Sequence, residues 1–161
     1  TRACMGFHLW SLAGLGQHYD RIEAAVTASR IAAGDGKGAI FAPVAIGGAG
    51  GLRVSGSPPE RLARWLDGMN NAILTAMRHL DEIEAWAARA ETLTASLSGK
   101  TPPALRQMLT EWPLVSAPMA EAMTGKSRAA VQRNLAWTEA HGLIREVTGQ
   151  GRFRMWKASG V

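Results

Sequence analysis

The sequence predicts a mainly α-helical chain, and three observations predict it. Apolar residues recur at helical spacing along most of its length. Capping residues and glycine stops punctuate those stretches. Only one short stretch near the C-terminus alternates as a hairpin does. The expected layout is an N-terminal helical region with a long connecting helix, followed by a smaller reader domain. Its predicted parts are a helical domain at 1–98, a linker at 99–103 and a C-terminal domain at 104–161.

Residues 3–15 carry Phe7, Trp10 and Leu12 and predict a short helix too apolar to stand alone. Asp20 and Glu23 form a loose capping box for a second helix, 21–33, which Gly34 stops. Ile22, Ala25, Val26 and Ser29 are its expected inner stripe. Residues 39–46 read as an edge strand interrupted by Pro43, or as part of a loop or hairpin over 40–54. The glycines at 47–51 superficially suggest a phosphate loop. No Lys-Ser/Thr follows them and no helix opens directly on them, so that reading is rejected.

The longest element follows. Ser57 caps, Pro58 takes the first helical position and Glu60 completes a capping box. The pattern continues to Ser98 and stops at Gly99, some 40 residues or about 60 Å. A heptad fits, with Leu66, Ile73, Leu80, Ala87 and Thr94 at a, and Leu62, Met69, Ala76, Ile83, Ala90 and Leu97 at d. Trp65, Ala72, His79, Trp86 and Leu93 widen the stripe at g. The first half is expected to pack against the N-terminal helices. The second half, from about Ile83, is expected to be freer to form a homodimer. Gly68 marks a possible kink.

After the linker, residues 103–112 predict a helix with Leu105, Met108, Leu109 and Trp112 as its stripe, stopped by Pro113. Ser116 and Pro118 open the next helix, 117–124, with Met119, Ala120 and Met123 on one side and Gly125 as its stop. Ser127 caps a further helix from Arg128 to about His141, ended by Gly142. Residues 143–147 read as a strand, 148–151 as a turn and 152–157 as a return strand. Helix, turn, helix and hairpin in that order predict a winged helix-turn-helix.

On its second helix, Val131 and Leu135 face inward. Ser127, Arg128, Ala129, Gln132 and Arg133 are left outward, where arginine can pair with guanine and glutamine with adenine. Gln150, Arg152 and Arg154 on the wing would reach the DNA backbone or the minor groove. Each polar residue alone is as readily a solvated helix face. The order of elements gives the set its meaning.

The runs PLVSAPMAEA at 113–122, TGKSRAAVQRNL at 124–135 and LIREVTGQGR at 143–152 resemble the C-terminal helix-turn-helix of an uncharacterised alphaproteobacterial family, often plasmid-borne. DRIEAA at 20–25 and LSGKTPPAL at 97–105 resemble that family's upstream region, so the resemblance covers most of the chain. It implies a DNA-binding C-terminal domain and brings no established activity. The C-terminal pattern also resembles the winged helix at the end of Fic-type proteins. Their His-Pro-Phe and Asn-Gly-Arg catalytic motif is absent here, so that activity is not carried over.

Composition bounds the remaining classes. With 161 residues, 47% of them hydrophobic, the chain can bury a core in one domain or two small ones. Its net charge of +5 is uneven. Residues 103–161 hold 8 Lys/Arg and 4 Asp/Glu, whereas residues 1–102 hold 10 and 9. A basic reader half is the footprint that a polyanion partner requires. Cys4 is the only cysteine, so no internal disulfide forms and a cytoplasmic setting is expected. No apolar run is long enough for a membrane span. A start at Thr1 suggests a fragment of a longer protein.

Catalysis and cofactors have little support. Cys4 and His8 are four apart and His18 could join them, but one thiol without a second spaced pair is a poor metal site. Asp81, Glu82 and Glu84 fall on a solvated face rather than in a pocket. The tryptophans read as core, with Trp156 bracing the wing. The expectation is therefore a non-enzymatic protein without cofactor or metal, binding double-stranded DNA as a dimeric transcriptional regulator. The alternatives are a protein-interaction module or the non-catalytic part of a larger enzyme.

Overall fold

The computed structural model describes residues 1–15, 21–34 and 41–161. Asp20, His18 and the first two residues of the expected strand lie outside the described residues. The fold is mainly helical, with one small sheet, and divides into two compact units, Thr1–Arg78 and His79–Val161. The division falls inside the long helix.

The first unit contains α1 (Arg2–Leu12), α2 (Arg21–Ala33), a 3₁₀ turn (Val44–Gly47) and the opening of α3 (Pro58–Thr94). Small side chains let α1 and α2 approach closely. Ala3, Ala24 and Ala28 are buried, and a Cβ on Gly6 would meet Ile31 Cδ1 at 3.1 Å. Cys4, Phe7, Val44 and Trp65 complete the core, with the Phe7 and Trp65 rings 5.9 Å apart. The inner stripe of α2 differs from the expectation. Ser29 is buried, but Ile22 and Val26 are exposed and Ala24 and Ala28 take their place. The close approach of α1 and α2 favours the small Ala24 and Ala28 at the covered positions.

The expected strand is not formed over residues 41–46. Those residues lead into the 3₁₀ turn, and Ala42 N–H donates to Ser29 O at 3.0 Å. Gly68 in α3 serves close approach. Its added Cβ would meet Gly51 Cα at 2.9 Å, and a Cβ on Gly47 would meet Gly68 O at 1.9 Å. Gly47 and Gly51 of the glycine cluster thus let the loop lie against the backbone of α3.

Of the capping box expected at α3, the Glu60 half is formed, and the Ser57 hydroxyl donates to Glu60. Glu60 Oε2 accepts from Ser57 N at 2.7 Å and from Ser57 Oγ at 2.8 Å. These bonds hold the Glu60 carboxyl below its ordinary range. Along the helix, the g positions Trp65, Ala72 and Trp86 are buried, whereas Leu66, Ile73 and Leu80 at a are exposed. The expectation of a free second half is therefore reversed. Trp86, Ala90 and Thr94 are buried in the second unit, and most of the large exposed apolar residues of α3 lie at 66–80, with Leu93 the exception.

The second unit adds α4 (Thr101–Glu111), β1 (Val115–Ser116), α5 (Ala117–Thr124), α6 (Arg128–Ala140), β2 (Ile144–Glu146) and β3 (Met155–Ala158). The sheet is antiparallel with order β1-β3-β2, pairing Val115 with Trp156 and Glu146 with Trp156 on the other side. Its core is built of large side chains, including Trp86, Leu105, Leu109, Val131, Leu135, Leu143 and Ile144. Trp86 Nε1 donates to Leu143 O at 2.7 Å, so a buried indole N–H is satisfied by the turn after α6. Trp112 and Met123, expected inside, are each nearly half exposed. Pro113 ends α4 just after Trp112 and turns the chain into β1, which leaves the indole outside.

Candidate nucleic-acid interface

Two serine caps position α5 and α6. Ser116 Oγ accepts from Met119 N at 3.3 Å, and Ser127 Oγ accepts from Ala130 N at 3.4 Å. Gly125, at φ 63°, makes the left-handed step between them, where a side chain would be strained. Val131, Leu135 and Thr138 anchor α6 in the core. That anchoring fixes which face remains outside.

The outside face holds the expected residues. Ser127, Arg128, Ala129, Gln132 and Arg133 are all exposed. Neither arginine forms an ion pair among the described residues. The helix ends at His141, whose Nδ1 lies 2.8 Å from Trp137 O and whose ring stacks on Trp137 at 3.7 Å.

The hairpin departs from the expectation in length. The return strand begins at Met155, not at residue 152, so residues 147–154 form one longer loop. Glu146 organises its base. Its carboxylate accepts from Thr148 N at 2.7 Å and Gly149 N at 2.8 Å, and also from Thr148 Oγ1. The Thr148 hydroxyl and these amides hold the Glu146 carboxyl below its ordinary range. Gln150 and Arg152 are exposed on the loop.

Arg154 is placed differently from the other residues of the set. Its guanidinium pairs with both Glu139 oxygens, at 3.1 and 3.2 Å, and lies 4.9 Å from the Trp156 ring centroid. Trp156 Nε1 donates to the same Glu139 carboxylate at 3.1 Å. Arg154 thereby ties the loop to α6. Glu139 is 15 residues away in sequence, a separation no local pattern reveals.

Phe153 was missed by sequence reasoning. It is 88% exposed and adopts φ 58°, a left-handed backbone that a bulky residue rarely takes. An exposed aromatic ring thus stands between Arg152 and Arg154 in sequence, just before β3. The alternating pattern through 152–157 hid it by assigning it to a strand.

Arg128, Gln132 and Arg133 suit hydrogen bonding to base edges or phosphates, and Arg152 suits a phosphate. Among the described residues no group of three or more His, Cys, Asp or Glu could hold a metal ion. Among them, too, no helix is long and apolar enough to cross a membrane. Comparison with protein-family models, curated proteins and solved structures yields no match.

Proposed function

We propose that this chain is a DNA-binding protein, a dimeric transcriptional regulator whose residues 101–161 act as a winged helix-turn-helix. In this reading α6 enters the major groove and the loop 147–154 lies along the backbone. One observation carries it: Arg128 at the first turn of α6, and Gln132 and Arg133 beyond it, are exposed, and neither arginine has an ion pair among the described residues, on a helix that Val131, Leu135 and Thr138 anchor in the core. The basic excess of residues 103–161 supports it through long-range attraction to phosphate. The resemblance of the C-terminal runs to helix-turn-helix regions points the same way. Dimerisation would use α3, where Leu66, Ile73 and Leu80 are exposed at heptad spacing. Paired half-sites on the DNA would follow from a two-fold dimer.

A second reading rests on Phe153. An aromatic ring held outside on the loop also suits contact with another protein, which would make the C-terminal unit an interaction module. The test uses a duplex selected from a random pool and a scrambled duplex of equal length. Arg133→Ala is expected to weaken the selected duplex by about 1–3 kcal/mol more than the scrambled one. Arg152→Ala is expected to weaken both alike and to lower the salt slope by about one. Failure to select any sequence, with both variants indistinguishable from the parent, would favour the interaction module.

A further inference from the structure

We propose that the cavity between α1 and the first turns of α3 is a binding site for a small carboxylic acid with an apolar body. The cavity holds about 370 Å³, inside the range of roughly 300–1,000 Å³ typical of small-molecule sites. Cys4, Met5, Leu9 and Leu62 give it apolar walls, and Thr1, His8 and Arg61 supply its polar points. It lies wholly within the first unit and stands apart from the DNA reading.

His8 lines the cavity from α1. Both its ring nitrogens are buried, and neither has a hydrogen-bond partner among the described residues. Buried polar atoms without partners are few in folded proteins, because each forfeits its hydration for nothing. Burial first, then the nearby Arg61 and Arg64 charges, push the imidazole below its ordinary pKa. The ring is therefore neutral and offers one N–H donor and one acceptor. Arg61 commits Nε to Gly56 O at 2.8 Å and forms no ion pair among the described residues. The one carboxylate in the same turn, Glu60, is taken by the Ser57 cap.

Positive charge without a counter-ion, beside a neutral donor and apolar walls, selects the ligand class. A carboxylate would accept from the terminal guanidinium nitrogens of Arg61 and from the His8 N–H, both strong contacts to a charged acceptor. An amine would be repelled by Arg61 and Arg64. A neutral ester would keep the apolar contacts and lose the charge-assisted ones. The Cys4 thiol, pushed up chiefly by burial, stays protonated and acts as wall.

The test is calorimetric titration of the 161-residue chain with octanoate, methyl octanoate and octylamine. Octanoate is expected to bind saturably at one site per chain. The ester should bind about tenfold or more weakly, and the amine should show no saturable binding. Arg61→Ala should cost octanoate at least about tenfold. Met5→Trp, a change at a half-exposed residue lining the cavity, should block binding with an unchanged circular dichroism spectrum, and it decides the matter if Arg61→Ala does not fold. Absence of saturation with octanoate would overturn the proposal. So would equal affinity for acid and ester, or octanoate binding that survives Met5→Trp undiminished.

Discussion

The two units solve the same problem with different materials. The C-terminal unit fills its core with Trp86, Leu105, Leu109, Leu135, Leu143 and Ile144, all buried. The N-terminal unit brings elements together through Ala3, Ala24, Ala28 and the glycines 47, 51 and 68, and leaves Met5, Leu9, Leu12, Ile22 and Val26 exposed. Large buried side chains supply burial energy directly, at about 1.5–3 kcal/mol each. Small residues instead supply close backbone approach, which tolerates no added atom. The first unit is therefore sensitive to insertion and the second to deletion.

Mutations can break that contrast. The largest effect is expected from Trp86→Ala, which opens a cavity and removes one of the two donors to Leu143 O. Leu143 O keeps the Ser159 N–H at 2.9 Å, so the cavity is the main cost, and the change should lower the stability of the C-terminal unit by about 3–5 kcal/mol in denaturant titration. A loss under about 1 kcal/mol would show that the core does not depend on this indole. Gly68→Ala is the opposite kind of change. One methyl, 2.9 Å from Gly51 Cα, should cost the N-terminal unit about 1–3 kcal/mol. A neutral or stabilising result, as an ordinary helical glycine-to-alanine change gives, would refute close approach as the reason for Gly68.

Smaller effects sharpen the account of the second unit. Ser127→Ala removes the cap of α6 and should cost about 1 kcal/mol. Hydrogen exchange at the amide of Ala130 should rise with it. Glu146 gives the smallest effect and a definite sign. Its carboxyl is held below the ordinary range, so its contribution is complete above that range and is lost as pH falls through its lowered value. Amide exchange at Thr148 and Gly149, compared at matched intrinsic rates, should therefore quicken on acidification. In Glu146→Gln it should be fast at every pH. Protection unchanged by the substitution would mean that other contacts hold the loop.

Much of this architecture was legible in local chemistry. The helices 21–33 and 117–124 have the expected ends, because the glycine at position 34 or 125 stops each one. Ser57, Ser116 and Ser127 serve as caps because a hydroxyl or an amide answers a donor or acceptor three residues away, a range that sequence can see. The exposure of Ala129, Gln132 and Arg133 followed from the spacing of Val131 and Leu135, and that of Arg128 from its place at the start of the helix. Long-range geometry was not legible. The pairing of Arg154 with Glu139 and the burial of Trp86 against Leu143 need the folded chain. The seam of α3 was misjudged because both Trp86 and Leu80 are apolar, and only their neighbours decide which one is covered. Phe153 was hidden by an alternation that the loop does not obey.

The central claim is that the exposed basic face of α6 and its neighbouring loop engage a nucleic acid backbone. Fluorescence anisotropy of a mixed-sequence duplex, titrated with the chain across a range of salt, tests it most directly. The account predicts measurable binding at low salt and a log–log slope of about −3 or steeper, as three or more neutralised phosphates require. Absence of binding at low salt, or a slope near zero, would contradict it.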